Sequence, residues 1–197
     1  TWMGFPTGAY DTAGVSDDDV FDAWSRVANT ISEHEPVHML CHPQRLPVAR
    51  KKLASAVTLH AFETDDAWMR DSGPTFVTGQ NGLGGVDWIF NGWGDHTAFD
   101  WSQDAKVARH IIELTGAERI ESELVNEGGG IHVSGDGDVL LTRTVQLDPG
   151  RNPTTTEQAV EDDIHQKLGT QRAIWFDRGL WRDYQDHGTR GHVDMIA

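Results

Sequence analysis

Three short stretches of this 197-residue sequence gather the side chains that could do chemistry. They are W-M-R-D-S-G-P (Trp68 to Pro74), N-E-G-G-G-I-H (Asn126 to His132) and G-H-V-D (Gly191 to Asp194). Each sets ionisable groups beside Gly or Pro where a strand is about to begin. Taken singly, each has an ordinary reading. Asp71 ahead of Ser-Gly-Pro caps a turn. Glu127 is a solvated loop carboxylate, its three glycines serving close backbone approach. His192 and Asp194, two apart on an expected strand, face the same way and form a structural pair. Taken together they say more, because they recur at intervals of roughly sixty residues, as structural repeats do.

Repeats arranged about a common axis would bring these stations together. Three carboxylates (Asp71, Glu127, Asp194) and the His192 imidazole, with Trp68 and Trp93 nearby, suit a flat, delocalised cation. A guanidinium presents its donors in a planar fork that carboxylates satisfy bidentately. An indole face adds cation–π attraction of roughly 0.5–2 kcal/mol. Burying several carboxylates without a cationic partner raises at least one of their pKa values.

The elements that must hold these residues follow a repeated grammar of hairpin, helix and strand. Apolar spacing predicts a helix over Asp17 to Ile31, with Val20, Trp24, Val27, Ala28 and Ile31 on one side and Ser16 as N-cap. Strands are expected at Val37 to Cys41 and Val57 to Leu59, with a short helix over Val48 to Ser55 between them. A first hairpin runs from Pro74 to Val77, through an Asn81-Gly82 turn, to Val86 to Phe90. A helix from Phe99 to Leu114 follows it. A second hairpin pairs Gly130 to Val133 with Val139 to Val145, then come a helix over Thr156 to Leu168 and a strand at Ala173 to Phe176. Gly191 onward reads as the first strand of a third hairpin. The expected class is mixed α/β, built from modules that cannot bury their apolar faces alone.

Composition narrows the partners. Sixteen Lys and Arg against 31 Asp and Glu give a formal charge of −15. Such a chain repels phosphate backbones and attracts small cations, which argues against nucleic acid. Eight Trp and seven Phe argue against intrinsic disorder. Cys41 is the sole cysteine of the sequence, so no intrachain disulfide is available. With neither a signal peptide nor an apolar run of about 18 residues, the expected compartment is the cytoplasm and no membrane partner is expected. The sequence opens on Thr1 and closes on M-I-A within an apolar run, and the expectation is that it is a fragment.

W-M-R-D-S-G-P, F-N-G-W-G (Phe90 to Gly94), N-E-G-G-G-I-H-V, L-D-P-G-R-N-P (Leu147 to Pro153) and G-H-V-D, in this order, resemble the agmatine deiminases. These are relatives of the bacterial-type peptidylarginine deiminases within the pentein, guanidino-group-modifying superfamily. The resemblance covers nearly the whole chain. It implies a pentein-like α/β propeller of five pseudo-symmetric ββαβ modules, about three of which lie in these residues as a single deiminase domain, 1–197. It also implies hydrolysis of the guanidine of agmatine to N-carbamoylputrescine and ammonia, in putrescine synthesis, without cofactor or metal. Asp71 and Asp194 would grip the guanidinium nitrogens, and His192 would act as general acid and then general base. Glu127 would hold the nitrogen side or the imidazole, and Trp68 would pack on the substrate.

The family's nucleophile is a cysteine near the C-terminus in a Gly-rich context, forming an amidino-thioether. Cys41, after V-H-M-L and before His42-Pro43, does not match that context and reads as a small buried hydrophobe. The 197 residues alone are therefore expected to turn nothing over. Arg190 stands where well-known members carry an acidic residue, which disfavours a cationic substrate tail. Two alternatives stay open: activity on peptide arginine, and a guanidine-binding module without catalysis. A homo-oligomer is also left open.

Three patterns are set aside. H-E-x-x-H at His34 to His38 spells a zinc-protease motif, but Pro36 lies inside it and the following residues are strand-like. S-G-D-G-D at Ser134 to Asp138 lacks the ligands of a calcium loop and reads as a hairpin turn. The Gly128 to Gly130 triplet opens onto a strand rather than a helix, against a dinucleotide site.

Overall fold

The computed structural model describes residues 1–8, 14–80, 82–95, 100–185 and 187–197. Contacts group the chain into two compact units, Thr1–Met69 and Arg70–Ala197.

The first unit is a three-stranded parallel sheet with helices on one face. Strand β1 (Trp2–Gly4), helix α1 (Asp17–Ser32), β2 (Val37–Cys41), α2 (Leu46–Lys52) and β3 (Val57–Ala61) follow in order, and the sheet order is β1-β2-β3. Ser16 caps α1 as expected. Its Oγ accepts from the Asp19 N–H at 3.2 Å and Asp19 Oδ2 accepts from the Ser16 N–H at 3.0 Å, a reciprocal box. The helix buries Val20, Phe21, Ser25 and Ala28, whereas Val27, expected on the apolar side, faces solvent. Phe5, Phe21, Ala28, Val37, Met39, Cys41, Ala49 and Val57 form the core. On the other sheet face Trp2 stacks on His38 at 4.8 Å, and His38 Nδ1 lies 3.0 Å from His60 Nε2. His34 is in the turn after α1 while His38 is in β2, so the H-E-x-x-H residues never share a helix face.

The second unit contains two modules of one design. In the first, β4 (Thr75–Gly79) pairs antiparallel with β5 (Gly82–Ile89), and helix α3 (Val107–Thr115) returns the chain to β6 (Glu118–Val125), parallel to β5. In the second, β7 (His132–Val133) pairs antiparallel with β8 (Asp138–Thr142), and α4 (Glu157–Leu168) leads to β9 (Arg172–Phe176), parallel to β8. Gly116 and Gly169, at φ of 66° and 70°, end the two helices in the left-handed conformation that glycine adopts without strain. Gly85 lets α3 approach its sheet, since a Cβ there would meet Ile112 Cγ1 at 2.6 Å. Val86, Trp88, Leu124, Ile131, Val139, Leu141, Val160 and Ile164 bridge both modules in one core.

Four expectations need correction or extension. The helix expected from Phe99 begins in earnest at Val107, after a 3-10 turn at Asp104–Lys106; Phe99, like Asn81 of the hairpin turn, lies outside the described residues. The strand expected to reach Val145 stops at Thr142, because Arg143–Gln146 coil inward and Gln146 Nε2 donates to the Asn126 side chain and the Gly130 carbonyl, both at 3.0 Å. Strand β1 is an addition to the expected elements, and β6 is the strand that the hairpin–helix–strand grammar requires after α3 but that apolar spacing does not locate. Finally, Gly191 onward is no strand: Val193–Met195 form a 3-10 turn, because a side chain captures the N–H groups that a ladder would need.

Among the described residues, no helix is long and apolar enough to cross a membrane.

Candidate functional site

The two modules place their equivalent loops side by side. Asp71 sits in the short helical turn Met69–Ser72 that enters β4, and Glu127 immediately precedes the Gly128–Gly130 turn that enters β7. The third station, Gly191–Asp194, follows β9. All three converge within the second unit. His192 Nε2 lies 3.1 Å from Glu127 Oε2, and His192 Nδ1 lies 3.8 Å from Asp71 Oδ1. Asp194 joins from the same side as His192: a Cβ on Gly129 would meet His192 Nδ1 at 2.3 Å and Asp194 Oδ2 at 3.0 Å. The shared orientation arises from the 3-10 turn rather than from strand alternation.

The glycine triplet is what allows this closeness. A Cβ on Gly128 would fall 2.1 Å from the Arg70 carbonyl oxygen, and one on Gly130 would fall 2.8 Å from Asn126 Oδ1. With the backbone so near, the Gly129 N–H donates to Asp71 Oδ1 at 3.3 Å. Trp93 Nε1 donates to the other oxygen at 3.1 Å. That indole is aimed by an unusual turn, in which Gly92, Trp93, Gly94 and Asp95 have φ of 67°, 60°, 86° and 55°. For Trp93 and Asp95 this conformation costs roughly 1–2 kcal/mol each. The Asn91 side chain supports it, accepting from the Gly94 N–H at 2.8 Å and donating to the Gly150 carbonyl at 2.9 Å.

Electrostatics divide the carboxylates. Glu127 is fully buried, which works to raise its pKa. The Arg151 guanidinium and the His192 hydrogen bond outweigh burial and hold it below its ordinary range. Arg151, also without side-chain exposure, donates through Nε to both Glu127 oxygens at 2.9 and 3.1 Å. Asp71 is 11% exposed and goes the other way: burial, with the charges of Glu127 and Asp194, pushes its pKa up against the opposing pull of His192 and Trp93. Burial alone would lower the His192 pKa, but the bond to Glu127 and the charges of Asp71 and Glu127 raise it. The cluster therefore retains excess acidity beside an imidazole inclined to hold its proton. Such an arrangement can receive a planar cation on its carboxylates and exchange a proton with it.

Two residues named from the sequence belong to the first unit. Trp68 belongs to the first unit, 44% exposed, its ring edge-on to Trp24 at 6.2 Å. Cys41 is buried in the first unit's core, and burial pushes its thiol up to about 11. That is the reverse of what a nucleophilic thiolate needs. Arg190, half-exposed at φ 70°, places Nε 3.3 Å from the buried Asp148 Oδ2. Asp148 thus meets part of its charge.

Arg151 and Asp183 are site residues that the sequence alone does not single out. Arg151 lies within L-D-P-G-R-N-P, and a fully buried Glu127 demands such a partner, so the motif held a usable signal. Asp183, one of 31 acidic residues, carries none.

Two repeated ββαβ modules meeting at a buried carboxylate–imidazole cluster define a pentein-like α/β protein. The chain belongs to the Porphyromonas-type peptidyl-arginine deiminase family, whose profile matches residues 1–197 throughout. A Streptomyces coelicolor protein carrying an agmatine deiminase designation is 50% identical over 204 residues, covering 100% of this chain and 59% of its own length. A Listeria monocytogenes protein with the same designation is 40% identical over 179 residues, covering 88% of this chain and 48% of its own. The solved agmatine deiminase of Enterococcus faecalis, catalysing its reaction, superposes with a TM-score of 0.88 at 34% identity, over 98% of this chain and 53% of that one. The chain spans about half the length of the curated relatives it matches.

Proposed function

We propose that the protein containing these residues hydrolyses the guanidine of agmatine to N-carbamoylputrescine and ammonia. One observation carries this reading: Asp71, Glu127 and Asp194 converge on His192 around a glycine that leaves room for nothing bulkier. The names of the similar proteins support agmatine as the guanidine. In this reading Asp71 and Asp194 grip guanidinium nitrogens, and Glu127, neutralised by Arg151, steadies the imidazole. A cysteine thiolate outside these 197 residues attacks the guanidinium carbon. His192 delivers its proton to the departing nitrogen, ammonia leaves, and an amidino-thioether remains. His192 then takes a proton from water, which attacks the same carbon; the C–S bond breaks, the thiolate is regenerated and the urea product is released.

The 197 residues are then part of one deiminase domain and inactive alone, and the protein works in the cytoplasm toward putrescine. Trp68 is proposed to pack on the substrate. A second reading, action on peptide arginine, is favoured by Arg190, whose half-exposed guanidinium stands two residues from His192. Comparing ammonia release from agmatine with that from an N- and C-blocked arginine peptide, using the full-length protein, separates the two. Release chiefly from agmatine supports the first, and release chiefly from the peptide transfers the assignment to the second.

A further inference from the structure

The loop that carries His192 is held in an improbable shape by one carboxylate. Arg190 and Gly191 have φ of 70° and 112°, and a Cβ on Gly191 would strike the Tyr184 hydroxyl at 2.4 Å. No regular ladder or helix satisfies the backbone between Thr189 and His192. Asp183 does so instead. Its Oδ1 accepts from the Thr189 N–H at 2.8 Å. Its Oδ2 accepts from the Thr189 hydroxyl at 2.5 Å, the Gly191 N–H at 2.7 Å and the His192 N–H at 3.0 Å. The Arg190 N–H donates to the Asp183 backbone carbonyl at 3.0 Å. Four donors thus meet on one carboxylate, three of them on Oδ2, and the His192 N–H is shared with the Thr189 hydroxyl oxygen at 3.3 Å.

A second clamp closes the loop from above: Arg151 Nη2 donates to the Thr189 carbonyl at 2.8 Å while its Nε holds Glu127. The loop and the carboxylate that receives the imidazole are thereby fixed in one frame. We propose that Asp183 is the positioning residue that aims the His192 imidazole at Glu127, by fixing the backbone of residues 189–192. This rests on the reading of His192 as the proton-transfer group. The Asp183 carboxylate holds three main-chain N–H groups and the Thr189 hydroxyl, and so acts through the main chain.

An amide cannot take its place. Asn at 183 has one acceptor oxygen and one NH2 donor, so whichever way it turns, a backbone N–H faces another donor. Strain at functional loops persists only while the surroundings over-determine it, so the loop relaxes and the imidazole loses its register with Glu127. Near His192, the titratable or charged groups are Asp71, Glu127, Asp194, Arg70 (Nε 3.8 Å from Asp194 Oδ2), Arg151, Asp183, Tyr184 and Arg190; the substitution changes only one of them, and that one is on the backbone side.

The test uses full-length wild type and Asp183→Asn. Expected is a fall in kcat for ammonia release of about a hundredfold, as a small misplacement of a catalytic group produces. KM changes within about threefold, because the gripping carboxylates are untouched. By NMR, the His192 imidazole in the variant titrates closer to the ordinary histidine range than in wild type. A variant with wild-type kcat and an unmoved His192 titration overturns the proposal. The NMR arm stands without turnover. A wild type that releases no ammonia defeats the deiminase reading, while a shifted His192 titration in the variant still upholds the positioning role. Should Asp183→Asn fail to fold, Thr189→Val removes one of the four donors. A partial loss of kcat with a smaller shift in the same direction is expected, and wild-type behaviour in both readouts overturns the proposal.

Discussion

Arg151 sets the charge balance of the cluster, because Glu127 is wholly buried and Arg151 Nε donates to both of its oxygens while His192 holds one of them. Arg151→Met removes that carboxylate's arginine partner and is expected to destabilise the fold by ~3–5 kcal/mol in urea titrations. The pH dependence follows from the signs of the shifts. Glu127 and Asp183 are held low, Asp183 by the Thr189 and backbone bonds that outweigh burial. Their contribution is present above the ordinary carboxyl range near about pH 4 and is lost as pH falls through the lowered values. His192 is held high, so its contribution is full below about pH 6.5 and is lost as pH rises through the raised value. Asp71, also raised, loses its contribution as pH climbs from the ordinary carboxyl range through its own raised value. Stability is thus expected to peak on the acid side of neutrality, with a weaker alkaline decline in His192→Gln, both read from urea midpoints across pH. For activity, Asp71→Asn, His192→Ala and Asp194→Asn in the full-length protein should each remove most ammonia release while leaving circular dichroism unchanged. His192→Ala with near wild-type turnover would contradict its role in proton transfer. The convergence of Asp71, Glu127, His192 and Asp194 was legible because carboxylates and an imidazole beside glycines recur at a regular interval. Asp183 was not, since its function depends on a loop conformation that its own neighbours do not announce.

At the scale of elements, glycine and main-chain geometry decide whether the side chains can meet. Gly129→Ala would drive a methyl group into His192 and Asp194, so we expect loss of activity with the three described β-sheets retained, comparing turnover and circular dichroism of the same preparation. Ser16→Ala, which breaks the reciprocal cap of α1, should cost about 1 kcal/mol and leave turnover untouched. The periodic elements were readable: α1, α4, β2 and the antiparallel pairs β4–β5 and β7–β8 fall close to where apolar spacing puts them, although β8 ends three residues short of Val145. Strand β6 was hidden because E-R-I-E-S-E-L-V is charged on its open face, with only Ile120 and Leu124 turned to the core. The Gly191–Asp194 segment misled for the opposite reason. Its apolar run looks like a strand, but Asp183 takes the N–H groups that pairing requires, and a 3-10 turn results.

Over the whole molecule, repetition is what turned scattered motifs into a site. Two modules with the same antiparallel-then-parallel pairing put Asp71 and Glu127 at equivalent loop positions, and the chain after the second module returns His192 and Asp194 to them. That much followed from the spacing of the motifs. The identity of the charged partners did not, because a buried ion pair such as Arg151–Glu127 is set by packing rather than by sequence distance. The central claim is that this cluster recognises a guanidinium rather than any cation. The direct measurement is calorimetric titration of full-length His192→Ala, in which turnover is expected to be lost, with agmatine and with putrescine, which has ammonium groups but no guanidine. The account predicts agmatine binding at least about tenfold tighter, a difference of about 1.4 kcal/mol, and abolished by adding Asp71→Asn. Equal affinity for the two amines, or agmatine binding indifferent to Asp71, would contradict it.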